Sequence, residues 1–475
     1  MSITQSPPVR VDRPRSEDQP TSRPVLPVRA WWRDLVGSLT WASLLIVVAL
    51  WVAGGGLQEL GGLASGTTAL GRLTGLVSAD LLLIQVLLMA RIPIAERVYG
   101  QDELARRHRL VGFSSFNLML VHVVMITLGY AGESGDNPIA ELWDLTVNDP
   151  GMLLAVVGTL LLTMVAVTSI RKARRKLRYE SWHLLHLYAY LGVGLALPHQ
   201  LWTGQDFLSS PLATVYWWSL WIAAAGAILV WRIGVPVYRT LRHDLRVTAV
   251  VRESPDVVSI WMRGRHLHRL PVAAGQFFSW RFLDGPGWTR AHPYSLSAAP
   301  TGDTLRITVR DLGDGSRSLA TVRPGTRVAI EGPYGRLHEG VRSRRKATLL
   351  AAGIGVTPLR ALLEQMSQQP GDVTFIYRAR DQQDLVFQAE LDGFASSRGA
   401  RVFYVLGPRL RERPSWLPNT AAHLSDVDAL RQLVPDIADQ DVYLCGAQEW
   451  MDAARQAALD AGVPAEQIHE ERFSW

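Results

Sequence analysis

Residues 108–122 read HRLVGFSSFNLMLVH and residues 182–199 read WHLLHLYAYLGVGLALPH. Both stretches are long and apolar, yet each carries histidines near its two ends. Ionisable side chains are costly inside a membrane span, so His108, His122, His186 and His199 are candidates for function. The gaps within the two stretches are 14 and 13 residues, roughly 21 and 19 Å of helix at about 1.5 Å per residue. If both segments cross in the same sense, His108 and His186 share one level and His122 and His199 the other. That leaves room for two stacked haems, each held by one histidine from each helix. Two protein ligands fill both axial positions of the iron, which suits electron transfer rather than oxygen binding at the metal. At about 100° per residue a straight helix would set His186 and His199 on different faces. Pro198, with Gly192 and Gly194, is expected to bend the segment and realign them, and His183 is a spare candidate for the inner level.

Around these stretches the chain divides. Of its 475 residues, 48% are hydrophobic and only 19% charged, a membrane-leaning composition whose long apolar runs fall almost entirely in residues 30–235. Six stretches are long enough to cross a bilayer, near Asp34–Gly55, Arg72–Ala90, Leu110–Tyr130, Met152–Ile170, Trp182–Trp202 and Leu212–Ile233. The loops alternate in charge. One side holds Arg91, Arg97, Arg106, Arg107 and Arg109, then Arg171, Lys172, Arg174, Arg175, Lys176 and Arg178, then Arg239, Arg242 and Arg246. The other holds Glu59, then Glu133, Asp136, Glu141, Asp144 and Asp149, then Asp206. Basic loops stay inside, so both termini and everything after the sixth span are expected in the cytoplasm of a multi-pass plasma-membrane protein. The net charge of +6 resides in these short loops, which points to membrane orientation and not to nucleic acid. Residues 1–29, rich in Pro, Arg, Ser and Asp, read as a disordered tail. A single cysteine, Cys445, excludes a disulfide framework or a cysteine-ligated iron–sulfur cluster within the chain. Asp80, inside the second span, is expected to bond a neighbouring helix, with a proton path as the alternative.

Residues 241–338 show short strands with turn signals and no long helix, the pattern of a small antiparallel β-barrel. Within them, Arg290, Tyr294 and Ser295 offer the cation, aromatic wall and hydroxyl that a flavin needs. Gly313, Gly315 and Ser316 offer bare amides ahead of a short helix, a phosphate cradle. Residues 344–475 alternate strand and helix, as in an α/β domain with a parallel sheet. The turn Gly353-Ile-Gly355-Val-Thr357-Pro358 between an apolar strand and a helix suits nucleotide phosphates, with Pro358 where a dinucleotide fingerprint has its third glycine. Arg378 and Arg380 close the next strand, where arginine accommodates a 2′-phosphate and favours NADPH over NADH. Cys445 and Gly446 end a later strand where a nicotinamide can pack, and the terminal Trp475 can cover a flavin face.

Taken together, residues 241–475 resemble the ferredoxin–NADP reductase family through Arg290–Ser295, Gly313–Ser318, Glu331–Gly335, Gly353–Pro358, Cys445-Gly446 and the terminal aromatic. Residues 30–236, with paired histidines on the third and fifth spans, resemble the ferric reductase transmembrane domain. In this order the two look like bacterial members of the NADPH oxidase and ferric reductase superfamily. The resemblance implies that His292, Pro293, Tyr294 and Ser295 form the flavin motif. It implies that Gly353, Gly355, Thr357, Pro358 and Cys445 form the nicotinamide-nucleotide motif, and that Trp475 stacks on the isoalloxazine. No calcium-binding hand is visible, so no calcium dependence is implied.

The expected fold is a six-helix transmembrane bundle followed by a β-barrel FAD domain and an α/β nucleotide-binding domain. The expected activity moves electrons from cytoplasmic NADPH through FAD and two haems b to an acceptor outside, either oxygen or a ferric chelate. Two other readings stay open: delivery of electrons to an extracytoplasmic redox partner, and a haem-free anchor carrying a flavin reductase. The physiological acceptor and the oligomeric state are not legible.

Overall fold

The computed structural model describes residues 3–5, 31–177, 179–285 and 287–472. Most of the expected tail, with Arg178 and Trp475, lies outside the described residues. Of the tail, Ile3–Gln5 forms a short strand, β1, a departure from the expected disorder at those three residues. The chain forms two compact units, Arg29–Gly234 and Val235–Trp475, the latter joined by the N-terminal segment.

The first unit is helical: α1 (Trp31–Ala53), α2 (Leu63–Met89), α3 (Pro93–Ser134), α4 (Pro138–Asn148), α5 (Met152–Ser169), α6 (Arg171–Arg174), α7 (Tyr179–Trp202) and α8 (Pro211–Ala227), then a π-helical stretch, Ile228–Gly234. Among the described residues, five helices are long and apolar enough to cross a membrane: Trp31–Ala53, Leu63–Met89, Pro93–Ser134, Met152–Ser169 and Pro211–His243. Helix α7 has 24 residues but is not among the five, its apolar run being interrupted by His183, His186 and His199. The basic segment expected as a loop after the second span is helical instead. Helix α3 begins at Pro93 and breaks only at Gly100 (φ 73°, ψ 159°). Glu103 pairs with Arg106 and Arg107 three and four residues on, a spacing that supports helix through charge compensation.

The second unit opens with α9 (Val235–His243) and a six-stranded antiparallel sheet. Its strands are β2 (Leu245–Ser254), β3 (Val257–Arg263), β4 (Phe277–Phe282), β5 (His292–Ser295), β6 (Thr304–Arg310) and β7 (Arg327–Tyr334), in the order β5-β4-β7-β2-β3-β6. The bridge Leu296↔Ile307 ties one end of the sheet to the other. Alternation drives the strands: in β2, Leu245 and Val247 are buried while Arg246 and Thr248 are exposed. With Ile260, Phe278, Trp280 and Ile307 they form one core. A five-residue helix, α10 (Asp314–Ser318), lies between β6 and β7.

A parallel sheet follows: β8 (Ala347–Ala352), α11 (Val356–Gln365), β9 (Val373–Ala379), α12 (Gln388–Arg398), β10 (Arg401–Leu406), α13 (Asp426–Leu433), β11 (Asp441–Cys445), α14 (Gln448–Asp460) and β12 (Ile468–Glu470). The strand order is β1-β10-β9-β8-β11-β12, with β1 alone antiparallel. Strands buried on both faces read as unbroken apolar runs. In β8, Leu349 joins the core beneath α11 and α12, whereas its neighbour Leu350 joins the core beneath α13 and α14. The sheet runs outward in both directions from β8 and β11. Their carboxyl ends therefore flank the topological switch point, where such sheets bind ligands.

Candidate cofactor sites

In the helical unit, α2 and α3 run antiparallel with a register that serves both α3 histidines. His122 Nδ1 lies 2.8 Å from Gly71 O, and His108 Nδ1 lies 3.2 Å from Gln85 O. A carbonyl can only accept, so Nδ1 donates in both rings and Nε2 keeps its lone pair for a metal. The two carbonyls are separated by the same 14 residues as the two histidines, close to four helical turns, so one face of α2 orients both rings. A Cβ on Gly75 would lie 2.5 Å from His122 Nδ1. Glycine there leaves the ring its seat.

Helix α7 supplies the partners. The His186 ring centroid is 6.0 Å from that of His108, with the planes 60° apart, and Ser169 Oγ is 3.3 Å from His186 Nδ1. At 6.0 Å between centroids the two rings would leave room for one metal ion between them. His199 lies near the other end of α7, its Nδ1 buried and without a hydrogen-bond partner among the described residues. At one level, then, a histidine of α7 sits beside a histidine of α3; α7 is one helix with Pro198 inside it. His183 is engaged with other groups and adjoins His186.

Asp80, fully buried, faces neither pair. Its Oδ1 accepts from Ser43 Oγ at 2.7 Å and Tyr216 Oη at 2.6 Å. The carboxyl thus ties α2 to α1 and α8. One residue beyond Gly71, Arg72 sits between Glu59 (3.0 Å) and Asp206 (3.4 Å). In sequence, Glu59 and Asp206 stand as acidic loop charges, and only the fold places Arg72 between them.

In the second unit, β5 carries the residues expected of a flavin motif. Trp280 Nε1 donates to Tyr294 O at 2.8 Å and pins the strand. His292 and Tyr294 share a face of it, with centroids 5.9 Å apart and planes within 3°. Burial pushes the Tyr294 phenol up to about 12. Ser295 Oγ is buried and has no hydrogen-bond partner among the described residues, which fits a hydroxyl waiting for a ligand acceptor. Pro293, lacking an N–H, suits an edge strand. Arg290 is exposed at the approach to β5. Gly313 precedes α10, and Gly315 packs against His292, where a Cβ would lie 3.2 Å from Cε1. Ser316 Oγ is committed locally: it accepts from Leu312 N at 2.8 Å and donates to Gly313 O at 2.9 Å. Its hydroxyl braces the expected phosphate cradle from within.

At the switch point the two glycine-bearing turns meet. A Cβ on Gly355 would overlap Cys445 O, and one on Gly446 would lie 2.9 Å from the Ala352 Cβ. Gly353 adopts φ +54°, Thr357 Oγ1 donates to Ile354 O at 2.9 Å, and Pro358 lies in the first turn of α11. Burial and the nearby Glu471 push the Cys445 thiol up, so it stays neutral. Glu471 Oε2 accepts from Arg336 N at 3.1 Å, holding the C-terminal segment against the turn after Tyr334. Arg310 reaches the same corner, with Nη1 3.7 Å from where a Gly353 Cβ would be.

The two arginines expected at a 2′-phosphate part company. Arg378 is buried, and its guanidinium donates to the carbonyls of Ala379, Val405 and Pro408. Arg380, three-quarters exposed, points out beside Asp384. Alternation within a strand would set residues two apart on one face, but β9 ends at Ala379, so Arg380 lies beyond it and leaves the sheet.

Comparison with known proteins agrees with this division. The ferric reductase like transmembrane component family matches residues 74–197, and the oxidoreductase NAD-binding domain family matches residues 349–456. Ferredoxin--NADP reductase B of Sorangium cellulosum is 30% identical over 241 residues, which are 48% of this chain and 97% of that protein. The ferredoxin reductase component of 3-ketosteroid-9-alpha-monooxygenase from Mycobacterium tuberculosis is 32% identical over 43% of this chain, which spans only 56% of that relative's length. Among solved structures, the FAD/NAD-binding domain of a Vibrio cholerae nitric oxide dioxygenase aligns with 49% of this chain and 99% of its own, at 25% identity and a TM-score of 0.40. Through its C-terminal half the chain belongs to the ferredoxin–NADP reductase family, joined here to a ferric reductase-like transmembrane component.

Proposed function

We propose that the chain carries electrons from cytoplasmic NADPH, by way of FAD and two haems b, to oxygen or a ferric chelate outside the cell. The observation that carries this reading is the paired register of α2 and α3: two carbonyls 14 residues apart orient two histidines 14 residues apart, with His186 of α7 beside His108. FAD, when bound, supplies the conversion between a two-electron hydride and single electrons, and haem iron supplies one-electron carriage. The rest is the work of this chain's side chains. His108 with His186, and His122 with His199, hold the irons. Helix α7 counts as the sixth span because it must run beside α3 to present both partners, and the basic loops keep both termini inside.

In the reductase unit the tied sheet acts as a closed barrel. His292, Tyr294 and Ser295 orient the flavin, with Arg290 and the turn from Gly313 to Ser316 at its phosphates. Gly353, Gly355, Thr357 and Pro358 receive the nucleotide phosphates, Cys445 and Gly446 border the nicotinamide, and Arg380 takes the 2′-phosphate. By family resemblance Trp475 covers the flavin. No side chain need exchange a proton for electrons to cross the bilayer. Arg72, already held by two carboxylates, leaves little free positive charge near the outer pair. That disfavours anionic ferric chelates over neutral acceptors.

The test is the haem-to-FAD ratio of the purified full-length protein, with a low-spin Soret spectrum. Two haems per flavin are expected; one or none ends the reading. Superoxide-dismutase-sensitive reduction of cytochrome c, measured against reduction of a ferric chelate, then separates the acceptors.

A further inference from the structure

Helix α4 has its amphipathicity reversed. Its 11 residues measure about 16 Å, too short for a hydrocarbon core of about 30 Å. Toward the protein it turns Glu141 and Leu145, both buried, and Glu141 accepts from Ser134 Oγ at 3.0 Å. Outward it turns Ile139, Leu142, Trp143 and Val147, which are 80%, 42%, 71% and 46% exposed. Spaced three, one and four residues apart, these side chains fall on one arc of the helix, opposite Glu141 and Leu145. A helix in water points such a stripe at the core; of its two acids α4 exposes Asp144 but buries Glu141. The reversal means that the outward face of α4 is not designed for water.

We propose that α4 lies in the membrane–water interface, with Ile139, Leu142, Trp143 and Val147 dipped into a zwitterionic lipid surface. The proposal rests on α3 and α5 being spanning helices. It does not depend on haem or acceptor, so it can fail without the proposed function failing. Continuity supports lipid as the occupant. Helix α4 packs against both α3 and α5, and the exposed apolar belts of those helices, Val124 and Leu128 on one and Leu153 and Val157 on the other, adjoin its two ends in sequence. Tryptophan prefers this depth, where one edge of the ring is apolar and the other wet. The neighbouring acids Asp136 and Asp144 are exposed and would repel an anionic headgroup, so a zwitterionic surface is the better match.

The natural protein suits site-directed labelling, because its one cysteine, Cys445, is buried. Nitroxide labels placed at Ile139→Cys, Leu142→Cys and Trp143→Cys, with Asp136→Cys and Asp144→Cys as water-side references, are read by power-saturation electron paramagnetic resonance in phosphatidylcholine nanodiscs. An unchanged monodisperse elution profile and far-ultraviolet circular dichroism spectrum confirm that each variant is folded. Labels at 139, 142 and 143 should favour collision with oxygen over a water-soluble nickel chelate by several-fold relative to the references. Preference for the nickel chelate at these sites would overturn the proposal. So would shielding from both reagents, which would mean a protein partner or a second copy covers the helix.

Discussion

The helical unit and the reductase unit each build a site where a glycine lets backbone or ring come unusually close, yet the two differ in what is brought together. In the reductase unit the approach is turn to turn: Gly355 leaves room for Cys445 O, closing the corner between neighbouring strands β8 and β11. In the helical unit it is helix to side chain: Gly75 leaves room for the His122 ring, which Gly71 O then orients. The turn-to-turn site joins segments farther apart in sequence than the helix-to-ring site does, but the hydrogen-bonded pairing of β8 with β11 fixes its register. A helix-to-ring site depends on register between segments about fifty residues apart. The lesson is that backbone pairing between strands holds the first in register, whereas the second rests on side-chain packing and fails if the helices slide.

The largest expected effect tests whether the helical site is a cofactor site at all. His122→Leu should lower haem to one per flavin and abolish reduction of outside acceptors, while NADPH still reduces the flavin. Pyridine haemochrome analysis and stopped-flow flavin bleaching read the two halves separately. Unchanged haem content would dissolve the comparison. Next comes Gly355→Val. Overpacking a tight site costs about 1–3 kcal/mol, here at the contact with Cys445 O, so the KM for NADPH should rise steeply while haem content stays at the wild-type level.

A third effect separates the two arginines. Losing a hydrogen bond to a charged group costs about 1.5–3 kcal/mol. Arg380→Ala should therefore weaken NADPH binding by roughly 10- to 150-fold while leaving NADH nearly untouched. Arg378→Ala should instead lower thermal stability and shift both nucleotides alike, because its guanidinium holds the carbonyls of Val405 and Pro408. The reverse pattern would return the 2′-phosphate to Arg378. Smaller still, Gly75→Ala should displace the His122 ring and loosen the outer haem, measured as faster haem transfer to apomyoglobin. Gly194→Ala is the matched control: a Cβ there meets nothing within 4 Å. Equal behaviour of the two alanines would remove Gly75 from the site.

The same contrast explains what could be read from the residues alone. The motifs from Arg290 to Ser295 and from Gly353 to Pro358 are contiguous, so their chemistry is visible without knowing which segments pack. The histidines of α3 and α7 were legible because burial of an ionisable group is conspicuous in an apolar run. Their supports were not: Gly71, Gly75 and Gln85 look like ordinary residues of a span until α2 is laid antiparallel to α3. Arg378 and Arg380 were one feature in sequence and two in space, since the strand ends between them. The helical start of α3 was hidden because the basic residues that mark a cytoplasmic loop also form ion pairs along a helix, Glu103 with Arg106 and Arg107.

Asp80 supplies the finest test, because it looks like machinery and is bonded like a tie. Its Oδ1 takes both hydroxyls, and those hydroxyls also lie 2.8 Å from each other. Removing the carboxyl therefore leaves Ser43 and Tyr216 with a remaining partner, and the cost should be only about 1 kcal/mol. Asp80→Asn keeps an acceptor oxygen and should match the wild type, whereas Asp80→Leu should lower the temperature at which haem is lost by a few degrees. Flavin release, which reports the other unit, should not move in either variant. If Asn proved worse than Leu, the proton or charge on Asp80, and not its grip on α1 and α8, would be what the bundle needs, and the helical unit would then hold titrating chemistry that its histidine pairs do not.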